Sequence, residues 1–141
     1  MAQLDLADLP AGALLLIDSA PVIYFMEAHP KWASRFRPVF EAHAAGRFRF
    51  AVTTITIAEV LIGPFKAGDE VLGRRYRSVL ESWQRIDLDL DIADSAARLR
   101  ASLGFKLPDA IQVASALKIN AAALVTHDRD FSRVRSLRVI S

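Results

Sequence analysis

The sequence predicts an α/β fold, doubly wound around a mostly parallel sheet of four to five strands. Three observations point to it. Residues 14–17 form an unbroken apolar run, as expected of a strand buried on both faces. Short runs of this kind alternate along the chain with segments of helical period, the order that builds a parallel sheet. Two of them, residues 14–17 and 121–125, stop abruptly on polar residues, Asp18-Ser19 and Thr126-His127-Asp128. Open parallel sheets bind their ligands at such strand ends.

Taken in order, residues 1–12 are polar and punctuated by proline and glycine, and are expected to be a flexible or loosely docked lead-in to one domain over residues 13–141. Ser19 is a plausible cap for a short apolar helix that ends before Pro30. Trp32, Phe36, Val39, Phe40 and His43 recur at helical spacing, with Pro38 expected to kink or split that helix and His43 expected on its surface. Residues 47–52 read as a second strand. Thr53-Thr54 then turn into a nearly all-apolar helix over 55–62, which Gly63-Pro64 should stop. Glu59 stands in its middle, either on one wet edge or facing a partner.

Residues 69–83 are amphipathic, with Val71, Leu72, Tyr76, Val79, Leu80 and Trp83 expected inward and Arg74, Arg75 and Arg77 outward. A third strand is expected at 86–90, then a helix capped by Asp91 and closed by Gly104. Pro108 opens the next helix with Asp109 behind it, where the helix dipole alone would favour an acid. Residues 121–125 give another inner strand and 136–140 an edge strand.

Composition bounds the chemistry. The chain has 141 residues, 52% hydrophobic, enough for one substantial core. There is no cysteine, and His29, His43 and His127 lack zinc-ligand spacing, so any metal here would be held by oxygen. Residues 11–17 imitate a short signal-peptide core, but Asp5 and Asp8 precede them and the first cation is Lys31, so a cytoplasmic location is expected. No apolar run is long enough to span a bilayer. The net charge is +2; gathering five acids in one pocket leaves +7 on the remaining surface, a division that suits a polyanion held near a metal.

In the doubly wound arrangement Asp18 and Asp128 share one rim. Glu59 follows the second strand, and Asp109 opens the helix before the strand at 121–125. Any one of these acids alone could be structural; Asp18 or Ser19, for example, could simply cap a helix. Together they are harder to explain. Two carboxylates about 4 Å apart repel by ~4 kcal/mol at an effective dielectric near 20, so converging acids call for a cation. Hard oxygen donors select Mg²⁺ or Mn²⁺.

The ordered blocks LLLIDSAPVIYF, AVTTITIAEVLIG, KLPDAIQVASAL and ALVTHDRDF resemble the PIN-domain ribonucleases, above all the VapC-type toxins of type II toxin–antitoxin pairs. The resemblance runs from about Ala13 onward and leaves residues 1–12 outside. It implies a three-layer α/β/α sandwich over 13–141 and Mg²⁺- or Mn²⁺-dependent hydrolysis of RNA phosphodiesters. It puts the family's acids on Asp18, Glu59, Asp109 and Asp128, with Asp130 as a further candidate and Ser19 and Thr126 as supporting hydroxyls. The high apolar content and the aromatic segment around Trp32, Phe36 and Phe40 suggest a buried interface, which the resemblance implies is used by a homodimer and by a small antitoxin whose arm enters the acidic pocket. His127 is expected to be a loop residue.

Other functions fit less well. A receiver-type phosphoacceptor would want paired acids after the first strand, where Ser19 stands. An aspartyl phosphatase would want Asp two residues after Asp18, and that position is Ala20. A catalytically silent interaction domain and a housekeeping RNA-processing nuclease remain as alternatives.

Overall fold

A computed structural model describes residues 3–141. Its sheet has five strands, β1 (Ala13–Ile17), β2 (Phe48–Thr53), β3 (Gln84–Ile86), β4 (Ala123–Val125) and β5 (Val139–Ile140), in the order β3-β2-β1-β4-β5. Every pairing is parallel, with Leu15 opposite both Phe50 and Ala123. Helices α1 (Ser19–Met26) and α2 (Ala33–Ala44) link β1 to β2, and α3 (Thr54–Lys66) and α4 (Glu70–Glu81) link β2 to β3. Helices α5 (Leu90–Leu103) and α6 (Leu107–Lys118) return the chain to β4, and a 3-10 helix at Arg129–Arg133 precedes β5.

Alternation along the strands divides the core in two. Leu15, Ile17, Phe50, Val52 and Val125 pack with Val22, Phe36, Val39, Val60 and Leu80 from α1 to α4. Leu16, Ala51 and Leu124 pack with Ile92, Ala96, Val113 and Ala114 from α5 and α6. The α/β/α sandwich follows directly. The chain reverses direction between β1 and β4, so the crevice beyond their carboxyl ends is the topological switch point, where open sheets place their ligands. From Gln3 onward the lead-in is docked: Leu6 and Leu9 are buried, and the Arg47 guanidinium donates to both their carbonyls.

Several local expectations are corrected. α2 is not split at Pro38, and α3 runs through Gly63-Pro64 to Lys66. Each proline removes one backbone donor, and buried neighbours on both sides (Phe36 and Val39; Val60 and Pro64 itself) hold the helices together. β3 is shorter and earlier than 86–90. Asp89, not Asp91, caps α5, its carboxylate accepting the Ile92 N–H at 2.8 Å. β4 begins at Ala123 instead of 121. Val71 and Val79, expected inward, are exposed. His43 is half-buried instead of lying on the surface, stacked 4.0 Å from the Phe50 ring, and burial lowers its pKa. Phe36 and Phe40 belong to the core and Trp32 is half-buried, so this segment presents little free aromatic surface.

Candidate active site

Asp18 follows the last residue of β1, and its backbone N–H donates to the Val125 carbonyl at 2.8 Å, tying it to the end of β4. It occupies the N-cap position of α1 but makes no side-chain cap bond. Its two oxygens are engaged elsewhere. Gln112 Nε2 donates to Oδ1 and Thr126 Oγ1 donates to Oδ2, each at 2.8 Å. The helix-cap explanation for Asp18 therefore fails, and so does that for Ser19, whose buried hydroxyl lies 3.0 Å from Thr56 Oγ1.

The other acids gather around this anchor. Asp109, half-buried in the first turn of α6, has its pKa raised by burial and then by the charges of Asp18, Asp128 and Asp130, with Lys106 opposing. Glu59 on α3 is raised by partial burial, by Asp18 and by Asp109, while the Ser19 hydroxyl favours its ionised form. Glu59 as a whole residue is exposed, so the neighbouring charges are the firmer cause. Asp128 caps the 3-10 helix: its Oδ1 accepts the Asp130 N–H at 2.9 Å, and its own N–H donates to Thr126 Oγ1 at 3.0 Å. Asp18, Asp128 and Asp130 thus stand within electrostatic reach of Asp109, and Asp18 and Asp109 within reach of Glu59, the five acids being drawn from four separate segments.

Five oxygen-donor side chains, two of which (Glu59 and Asp109) have their ionisation disfavoured by neighbouring carboxylates, are the donor set a hard divalent cation would satisfy. Among the described residues no group of three or more is already gathered in ion-holding geometry. The acids fit such an ion by chemistry and charge, and their side chains would have to draw together to bind it.

Residues that the sequence did not single out complete the site. Gln112 is 2% exposed and bonds Asp18, Thr53 and Thr56 at once. Its signal was available: it is the one long polar side chain in the buried run from Ala110 to Ala116, three residues after Asp109 and so on the same helix face. Tyr24 lies 2.7 Å from His127 Nδ1, and Trp32 packs on that ring at 4.3 Å. His127 is consequently a fixed part of the rim, although it does lie in the loop as expected.

Comparison with known proteins agrees with this architecture. The PIN domain family model matches residues 15–137. The chain belongs to the PIN-domain family. Among solved structures, a toxin–antitoxin complex from Klebsiella pneumoniae is similar at 28% identity and TM-score 0.71, covering 90% of this chain and 96% of that one. VapBC-1 from nontypeable Haemophilus influenzae matches at 22% identity and TM-score 0.67, over 89% of this chain and 96% of that one. VapC20 of Mycobacterium tuberculosis, described as a toxin cleaving the sarcin–ricin loop, shares the fold at 12% identity and TM-score 0.69, over 84% and 93%. Comparison with curated proteins returned no match. No helix among the described residues is long and apolar enough to cross a membrane.

Proposed function

We propose that this PIN domain is a metal-dependent endoribonuclease acting as the VapC-type toxin of a toxin–antitoxin pair in the cytoplasm. The observation that carries the proposal is the convergence of acids on the switch point around an Asp18 held at both oxygens. Mg²⁺ or Mn²⁺ would be held by Asp18, Asp109, Asp128 and Glu59, with Asp130 within reach. Bound there, one or two such ions lower the pKa of water and stabilise the leaving oxygen of a phosphodiester. The protein's own part is to fix the orientation of Asp18 through two hydrogen bonds, to hold Glu59 where it can orient a water, and to supply no covalent nucleophile. Exposed Lys106 and Arg129 flank the acids, and exposed Arg74 and Arg75 lie on α4, as binding a polyanion requires. A single-stranded or looped RNA is the substrate we expect.

Cleavage of such an RNA should stop in EDTA and return with Mn²⁺ or Mg²⁺. Undiminished cutting in chelator would refute the metal mechanism. The similarity to toxin–antitoxin complexes also supports a partner. Phe25, Ile62, Phe65 and Val71, each 46–59% exposed, are the apolar surface we assign to the homodimer and antitoxin contacts, in place of Trp32, Phe36 and Phe40. Light scattering of the purified chain, alone and after co-expression with flanking genes, checks both. A monomer at high concentration would remove the dimer, and the absence of a complex would remove the antitoxin.

A further inference from the structure

The buried carboxamide of Gln112 lies against Asp18 and has three partners. Thr53 Oγ1 donates to Oε1 at 2.6 Å, while Nε2 donates to Asp18 Oδ1 and to Thr56 Oγ1, both at 2.8 Å. This orientation is the only one the surroundings allow. Turned over, the amide oxygen would meet the Asp18 carboxylate, two acceptors without a proton between them. The hydroxyls inherit a direction. Thr53 spends its proton on Gln112 and accepts the Thr56 N–H at 3.1 Å. Thr56, which accepts from Gln112, is then free to donate to Ser19 at 3.0 Å, and the Ser19 side chain lies against Glu59. No buried side-chain nitrogen or oxygen among the described residues lacks a partner.

From this network we propose, building on the nuclease function above, that Gln112 is a positioning residue serving two acids at once. One N–H holds Asp18 directly. The other starts a chain through Thr56 and Ser19 that ends on Glu59. Such a node sits on a rigid α6 helix, most of it buried, and ties β1 to α3 through side chains alone. Its effect is to fix where both carboxylates stand at the crevice before any cation arrives. Partners of ligating carboxylates characteristically change metal affinity or activity 10- to 100-fold when removed.

The test uses full-length protein and Mn²⁺ as the probe, followed by calorimetry and by RNA cleavage at saturating Mn²⁺. Gln112→Met removes the donors at similar volume. Gln112→Glu keeps the shape and the Thr53 bond but turns an oxygen toward Asp18. Thr56→Val cuts only the branch toward Glu59, and Val113→Ala, a core deletion on the same helix, reports what loss of stability alone does. We expect both Gln112 variants to bind Mn²⁺ about 10- to 100-fold more weakly and to lose kcat with little change in KM for RNA. Thr56→Val should lose less affinity, and Val113→Ala should melt earlier with Mn²⁺ affinity unchanged. Wild-type affinity and kcat in whichever Gln112 variant folds would overturn the proposal, as would a Val113→Ala variant equally impaired in Mn²⁺ binding. Should neither Gln112 variant fold, wild-type Mn²⁺ affinity and kcat in Thr56→Val would overturn it. Asp18→Asn separates the two levels. If it loses Mn²⁺ while the Gln112 variants keep it, only the role of Gln112 fails; if wild type takes up no Mn²⁺, the nuclease mechanism fails with it.

Discussion

Replacing Asp18 by asparagine keeps the shape of a side chain whose two oxygens each accept one hydrogen bond. The new Oδ1 can still accept from Gln112, and the new Nδ2 can donate to Thr126 once that hydroxyl turns. What disappears is one negative charge beside Glu59 and Asp109, both of which it disfavours. The metal-free Asp18→Asn protein should therefore melt at or above the wild-type temperature, show little stabilisation by Mg²⁺, and lose RNA cleavage by at least about 100-fold. Paired thermal melts and a cleavage assay check this; an active variant with the wild-type Mg²⁺ response would remove Asp18 from the site. Asp18 and Asp128 stood out because they follow apolar strands and Glu59 because it interrupts an apolar helix, whereas Asp109, in the first turn of its helix, stood out only beside the other three. Gln112 gave a weaker signal, one long polar side chain in an apolar run, and its three partners come from segments that only the fold brings together.

At the scale of elements, the alternation of strands and helices could be read from periodicity, while boundaries could not wherever tertiary packing outweighed a local signal. Pro64 illustrates this. Its ring is buried, so the helix continues past a residue that local propensity would make a stop. The extension carries Phe65 over α4, where a Cβ built on Gly73 would lie 2.4 Å from the ring. Helix propensity favours alanine over glycine by up to ~1 kcal/mol, but here the ring must swing outward to make room, at a packing cost of about 1–3 kcal/mol. Gly73→Ala should thus destabilise by about 1 kcal/mol on its own and stabilise by a similar amount in a Phe65→Ala background. Urea unfolding of the two singles and the double measures the coupling, and a sign that does not reverse would show that Phe65 is not the obstacle.

For the whole molecule, stability against pH is set by groups that pull in opposite directions. Glu59 and Asp109 have raised pKa values, so the folded protein binds these protons more tightly than the unfolded chain does. Their contribution to stability falls as pH rises from the ordinary carboxylate range through the folded values, and the cost is complete above them. His43 is lowered by burial, so the unfolded chain takes its proton first and stability falls as pH drops below the ordinary histidine value of 6.5. A divalent cation bound to the ionised acids acts only on the folded state. At a hundred times its Kd it adds about 2.7 kcal/mol, and protons compete with it. The Mg²⁺-induced rise in Tm should therefore be large at pH 7.5 and shrink toward pH 4.5. His43→Phe should flatten the acid-side loss of stability just below pH 6.5 yet leave the Mg²⁺ response in place, whereas Asp18→Asn should do the reverse. These two variants act on different parts of the molecule, since His43 belongs to α2 and stacks on Phe50 on one face of the sheet, while the acids line the crevice beyond the carboxyl ends of β1 and β4. A Mg²⁺ response of equal size at both pH values would mean that the cation binds groups other than these carboxylates.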